Sequence, residues 1–271
     1  MNAAASIRRS LVYVLLSIAA FISIFPFYWM IVGATNKSAD IVTGKPTFGD
    51  NLFANAATFF HTIDAPRVFF NSAVIAIVGS LLTLLISSLA GYGFEMFRSR
   101  FRERIFAFML LLLSIPFAAL MVPLFVMISQ AHLTNTIAAV ILHGIASIFI
   151  IFYFRQATKA FTSELRDAAR VDGLKEWQIF LHIYLPVMRS TYAAATIIVF
   201  MANWNSYLWP LIVLNTPENK TATLVISALT SAYTPDYGMI LVGTILATLP
   251  TLIIFFLLQR QFVEGLLGSV K

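Results

Sequence analysis

FFNSAVIAIVGSLLTLLISSLAGYGF, residues 69–94, runs for 26 residues without one Asp, Glu, Lys or Arg. As an α-helix it would be roughly 39 Å long, more than the ~30 Å hydrocarbon core of a bilayer. Lipid offers no partner to backbone N–H and C=O groups, so a run of this kind satisfies them by coiling into a helix. Five further apolar runs lie at about 11–33, 105–128, 137–154, 192–214 and 238–258. Hydrophobic residues make up 59% of the chain and charged residues 11%, against the ~25% charged usual in soluble domains, and no stretch is polar enough for a separate soluble domain. The fold class that follows is all-α: a polytopic membrane protein of six transmembrane helices in a single domain over residues 1–271.

Lys and Arg resist translocation and collect on the inner side of short loops. Arg8 and Arg9 precede the first run, Arg98, Arg100, Arg102 and Arg104 follow the second, six more surround the loop after the fourth, and Arg260 and Lys271 close the chain. Only Lys37, Lys45, Arg67 and Lys220 fall on the other side, which places both termini and the 158–190 loop in the cytoplasm. The run at 11–33 exceeds the ~7–15 residues of a signal-peptide core and reads as a retained span. The net charge of +6 is scattered among apolar runs instead of forming a stripe, which argues against nucleic acid. With no cysteine and four dispersed histidines, no metal centre is expected. Pro26, Pro116, Pro123, Pro210 and Pro250 fall within spans, where each removes a backbone donor and can kink its helix around a pathway; Pro is also simply commoner in membrane helices.

The loop at 158–190 is the polar exception. In ELRDAARVDG, residues 164–173, Ser163 can cap a helix whose first turn carries Glu164 and Asp167, and Gly173 supplies a left-handed stop. A second helix follows, with Leu174, Trp177, Phe180, Leu181 and Tyr184 on one apolar face and Pro186 at its close. The expected element is a helix-turn-helix on the inner membrane face.

ELRDAARVDG followed by IYLP resembles the EAA loop of the permease subunits of ABC importers. Asp167, Ala168, Ala169, Gly173, Leu185 and Pro186 carry the match, with Asp167 where the motif is named for Glu, and Ser163 and Ser190 where the sugar-importing branch commonly has proline. YFRQATKAFTSELRDAARVDG, NWNSYLWPLIVL and the ending LLQRQFVEGLLGSVK look like segments of the maltose-type carbohydrate branch. The resemblance implies a coupling loop in which Glu164, Asp167, Ala168, Ala169, Arg170, Gly173, Leu185 and Pro186 meet a cytoplasmic ATPase, small alanines allowing close approach and charged residues bonding its rim. It implies as partners a second permease subunit, two ATPase subunits, an external solute-binding protein and a carbohydrate substrate, in a bacterial inner membrane. The only Gly-Lys pair, Gly44-Lys45, precedes Pro46, so the chain lacks a P-loop; ATP and Mg would serve the partner ATPase, and this chain would bind no cofactor.

Span five contains NWNSYLWP. Asn203, Asn205 and Tyr207 could hydrogen-bond sugar hydroxyls while Trp204 stacks on a pyranose face; alternatively the amides bridge helices and the aromatics sit at the interface. His143 reads as a packed or helix-bridging residue. The loop 215–237 sits where the maltose-type permease contacts its binding protein, and Gly265 and Gly268 in the tail permit close backbone approach to an ATPase. An ion- or proton-coupled secondary transporter is the alternative, but it needs intramembrane acids or broken helices in related repeats, and no acid falls inside the six runs. No catalytic triad or paired carboxylates are evident, so the chain is not expected to be an enzyme.

Overall fold

The structure, a computed structural model, describes residues 3–268, with side chains from 9 to 262. All its regular structure is helical: α1 Ala3–Ala34, α2 Ser38–Val42, α3 Leu52–Thr62, α4 Ala65–Met96, α5 Arg100–Leu112, α6 Phe117–Gln130, α7 Ile137–Gly144 and α8 Ile148–Thr158, then α9 Ser163–Val171, α10 Glu176–Ile179, a π-helical turn Phe180–Tyr184, and α11 Leu185–Val187. The chain continues through α12 Arg189–Trp204, α13 Leu208–Val213, α14 Ala222–Thr230 and α15 Tyr237–Gly268. Four helical stretches are long and apolar enough to cross a membrane, and two bent pairs, α5 with α6 at 104° and α7 with α8 at 43°, bring the number to six if each pair is one span. Pro116 stands at the first break, as the residue before α6. The expectation attached to Gly265, Gly268 and Lys271 falls outside the residues whose surroundings are described.

Two compact units emerge, Met1–Ala65 with Val225–Leu249 and Pro66–Leu224 with Pro250–Lys271. In the first, the end of α1 is satisfied by buried amides. Asn55 Nδ2 donates to the carbonyls of Ala34 at 2.8 Å and Asn36 at 3.0 Å, and Asn36 Nδ2 donates to Val32 at 2.9 Å and Thr47 at 2.8 Å. Of these, Val32 and Ala34 are among the last four carbonyls of α1, which a helix end leaves without intrahelical partners. A Cβ at Gly238 would lie 2.5 Å from Asn55, so the start of α15 needs glycine to approach this cap.

In the second unit, α4, α8 and α12 pack around Leu84, Ile150, Phe154, Ala195 and Val199. A side chain at Gly91 would stand 2.6 Å from Phe154 Cβ and 2.8 Å from the Arg155 nitrogen, so glycine is what lets α4 press onto α8. The first part of the loop expected at 215–237 is stapled down. Asn135 Oδ1 accepts from the Asn215 and Thr216 nitrogens at 3.0 and 3.1 Å, Asn71 Nδ2 donates to the Glu218 and Lys220 carbonyls at 2.8 and 3.1 Å, and Ser72 Oγ accepts from the Ala222 nitrogen at 2.8 Å. The sequence reading takes this stretch as a loop; the structure adds α14 to it.

Candidate functional site

The hairpin is built at Gly173. Its φ of +85° lies in the left-handed region open to glycine. The Gly173 nitrogen donates to the Arg170 carbonyl and the Leu174 nitrogen to the Ala169 carbonyl, both at 3.0 Å, the paired bonds of a Schellman stop, and Leu174 packs into the same apolar cluster as Ala169. The start differs from expectation: Ser163 is the first helical residue, Thr162 precedes it as N-cap, and neither supplies a side-chain cap to the backbone. Glu164 in the first turn and Arg170 in the last still suit the helix dipole.

The second arm departs further from a regular amphipathic helix. Its π-helical turn shifts the inward register, so that Ile179, Phe180, Tyr184 and Met188 are buried, while Trp177 at 58% and Leu181 at 47% relative exposure face outward. The buried set closes on Tyr92 at the end of α4, whose ring centre is 4.9 Å from that of Tyr184 and 5.4 Å from that of Phe180. Tyr184 shares a 2.7 Å hydrogen bond with Thr158 Oγ1, and burial pushes its hydroxyl well above the ordinary tyrosine range, so it stays neutral.

Arginines tie the hairpin to the bundle. Arg166, buried, donates from Nη1 to the Met96 carbonyl at 3.1 Å and from Nε to both oxygens of Glu176 at 3.3 Å, with its guanidinium 4.4 Å over the Phe97 ring. Arg170 donates to Glu176 at 2.6 Å. Burial alone would raise the Glu176 carboxyl, but the hydrogen bonds from Arg170 and Arg166 outweigh it and hold it below the usual glutamate range. At Glu95, the residue before Met96, buried Arg155 donates at 3.4 Å; it also donates to Glu103 at 2.5 Å, lies 4.0 Å over Phe106, and shares Glu95 with Arg98. Glu95 belongs to α4, which extends two residues beyond the apolar run at 69–94.

The expected coupling residues therefore divide. Glu164, Asp167, Ala168, Gly173, Leu185 and Pro186 are exposed. Ala169 turns into the hairpin core, and Arg170, about half exposed, pairs with Glu176 and with Asp167. Arg166, Glu176, Glu95 and Arg155 carry the anchoring and are not singled out by the motif; the excess of arginines flanking the loop was their only sign in the sequence.

A second feature lies among the broken helices of the same unit: a cavity of about 500 Å³ lined by residues of α4 and of the breaks α5/α6, α7/α8 and α12/α13, including Thr83, Phe117, His143, Ser147, Asn203 and Ser206. Thr83 Oγ1 donates to the Gly144 carbonyl at 3.2 Å, and Ser147 Oγ caps α8 by accepting from Ile150. Asn203 Nδ2 donates to Ser80 Oγ at 3.3 Å. Of the other span-five residues, Trp204 is buried against Phe200 and Phe69 and is not among the residues lining this cavity. Asn205 is exposed and its Nδ2 donates to the Met201 carbonyl at 2.9 Å, while Tyr207 precedes α13. His143 contacts two rings, its centre 4.7 Å from that of Phe117 and 5.2 Å from that of Trp209, and lines the cavity. Gly144 and Ser147, interrupting the apolar run 137–154, were the available signal.

A bundle of apolar helices with an anchored polar hairpin and a cavity at its helix breaks defines a transport permease. The chain belongs to the family described as binding-protein-dependent transport system inner membrane components, whose model matches residues 83–267. It is 66% identical to the lactose transport system permease protein LacG of Rhizobium radiobacter, over 96% of this chain and 95% of that one. To the arabinooligosaccharides transport system permease protein AraQ of Bacillus subtilis it is 33% identical, over 98% and 95%. Its fold matches, with a TM-score of 0.85 at 18% identity over 97% of this chain and 99% of the other, a bacterial ABC transporter involved in the import of the acidic polysaccharide alginate. Membership implies, in general terms, a solute-binding protein and an ATPase as partners.

Proposed function

We propose that this chain is one of two membrane subunits, paired with a second permease, of an inner-membrane ABC importer for lactose or a closely related oligosaccharide. In this reading 1–271 is one permease domain with both termini and the 158–190 hairpin in the cytoplasm, two ATPase subunits bind ATP and Mg, and an external solute-binding protein delivers the sugar. The chain itself catalyses no reaction and binds no cofactor. The observation that carries the mechanism is the hairpin's two-sidedness: Glu164, Asp167 and Ala168 stand exposed on one side, while Arg166 and Glu176 fasten the other to the end of α4. An ATPase gripping the outer side moves a body bolted to a span. Contact that differs between nucleotide states then shifts the bundle between outward- and inward-facing arrangements. The sugar class is supported by the two relatives named for oligosaccharide transport.

Reconstitution in vesicles tests this. The chain with its partner subunits, ATP and binding protein should take up labelled lactose, and uptake should cease when the ATPase is omitted. Lactose uptake by the chain without any ATPase would defeat the proposal and favour an ion- or proton-coupled carrier.

A further inference from the structure

Fold leaves the charge of the cargo open, since the alginate importer moves an acidic polysaccharide on the same architecture. The cavity at the helix breaks bears on it. We propose that this cavity is a saccharide subsite carried by this chain itself, and that it selects a neutral, hydroxyl-rich ring over an anionic one through His143, Asn203 and Ser206. The inference rests on the sugar-importer reading and adds to it the site and the charge class.

Position is the first argument. Interrupting a membrane helix frees backbone groups that lipid cannot satisfy, so irregular backbone at that depth is tolerated where it is buried in protein or lines a polar cavity. Here three separate interruptions, in α5/α6, α7/α8 and α12/α13, contribute to one cavity. Packing one residue would explain one break; a shared function explains three meeting.

Chemistry is the second. Among the described residues no side-chain hydrogen bond is made by His143 or Ser206, and Asn203 uses its Nδ2 on Ser80 while its Oδ1 has no partner. An imidazole, a hydroxyl and an amide oxygen thus keep free capacity toward one space, both donors and acceptors, which matches hydroxyls that donate and accept at once. Phe117, tilted against His143 with ring centres 4.7 Å apart, makes one wall apolar, as sugar-ring faces require. The volume of about 500 Å³ falls in the ~300–1,000 Å³ range of small-molecule sites.

Charge is the third. The lining contains no Lys, Arg, Asp or Glu. A carboxylate or phosphate brought there would lose its water without gaining a cationic partner, a cost that neutral hydroxyls escape.

The chain has no cysteine, so a single one reports occupancy directly. Ala202→Cys, on the same lining but not one of the three recognition groups, in the full complex in detergent without ATP or binding protein, is labelled with a small maleimide in the presence of lactose, or of digalacturonate, whose rings carry carboxylates, at high millimolar concentration. Lactose should slow labelling at least about twofold, the effect of half-occupancy. Digalacturonate should not, and adding His143→Phe, which keeps the aromatic wall but removes the ring nitrogens, should abolish the protection while His143→Gln retains part of it. If Ala202→Cys fails to assemble, Ile198→Cys on the same lining serves. No protection by lactose in a complex that still imports lactose overturns the subsite while leaving the importer reading intact; equal protection by digalacturonate overturns the charge selection. Failure of the unmodified complex to import any saccharide would instead overturn the reading on which the subsite rests.

Discussion

Gly173 shows a single residue deciding a local structure. Its positive φ and the two bonds that stop α9 were both foreseeable from a glycine after an amphipathic helix, whereas Arg166 bonding to the carbonyl of Met96, 70 residues away, was not, because only tertiary packing brings them together. A Cβ at Gly173 would meet nothing within 4 Å, so the penalty of substitution is conformational and not steric. Gly173→Val should therefore cost about 1–2 kcal/mol of hairpin stability, with Gly173→Asn milder, read as a lower unfolding midpoint and reduced retention of the ATPase on purification. Val behaving as Asn does would contradict the assignment. Glu176 adds a pH dependence. Its carboxyl is held below the ordinary glutamate range by Arg170 and Arg166, so the unfolded chain takes up a proton before the folded one does. The stabilisation is fully present above roughly pH 4.3, the unperturbed value, and is lost as pH falls through the lower folded value. Near neutrality the unfolding midpoint should be flat with pH, and on acidification the protein should lose more stability than its Glu176→Gln variant; parallel curves would refute the pairing.

At the scale of elements, apolar runs located the helices well because lipid demands them, and α1, α4 and α15 extend through and beyond the runs at 11–33, 69–94 and 238–258. The breaks were harder to read. Proline hinted at the one before Phe117, but a 104° bend depends on what the freed backbone finds nearby, which composition does not record. Broken helices, which in related repeats would suit a secondary transporter, occur here in a chain of the binding-protein-dependent family. The hairpin's second arm was misread for a related reason: a 3.6-residue period was assumed where a π-turn operates, and the inward face moved from Trp177 and Leu181 to Ile179 and Met188. The contact joining elements is Arg166 with Glu176, and it can be isolated by a double-mutant cycle. Arg166→Met, Glu176→Gln and the pair together should show a coupling of about 0.5–3 kcal/mol in unfolding. If Arg166 also transmits motion to α4 through the Met96 carbonyl, Arg166→Met should keep ATP hydrolysis by the assembled complex while lowering sugar moved per ATP, which a purely structural contact would not do. An unchanged ratio with reduced stability would confine Arg166 to packing.

For the whole molecule, the open quantity is how the two bent pairs sit. The Arg98–Arg104 segment and the hairpin fall on the same side whether both pairs cross the membrane or both turn back, so charge counting does not separate the cases. The loop 131–136 does, since it lies between the pairs. Asn135 hydrogen-bonds the Asn215 and Thr216 nitrogens, at the far end of the α12–α13 span from the hairpin, and Asn71 at the opposite end of α4 from Tyr92 bonds Glu218 and Lys220. Where the α12–α13 span crosses, a residue bonded to its far end does not share a side with its near end, and the expected outcome is that both pairs cross, giving six spans. Single cysteines at Ala131, Lys45 and Tyr233 should then react with an impermeant maleimide in intact cells, and those at Arg100 and Lys159 only after permeabilisation. Ala131→Cys labelling together with Arg100→Cys would make both pairs re-entrant, and labelling of Lys159→Cys in intact cells would put the hairpin out of reach of any cytoplasmic ATPase.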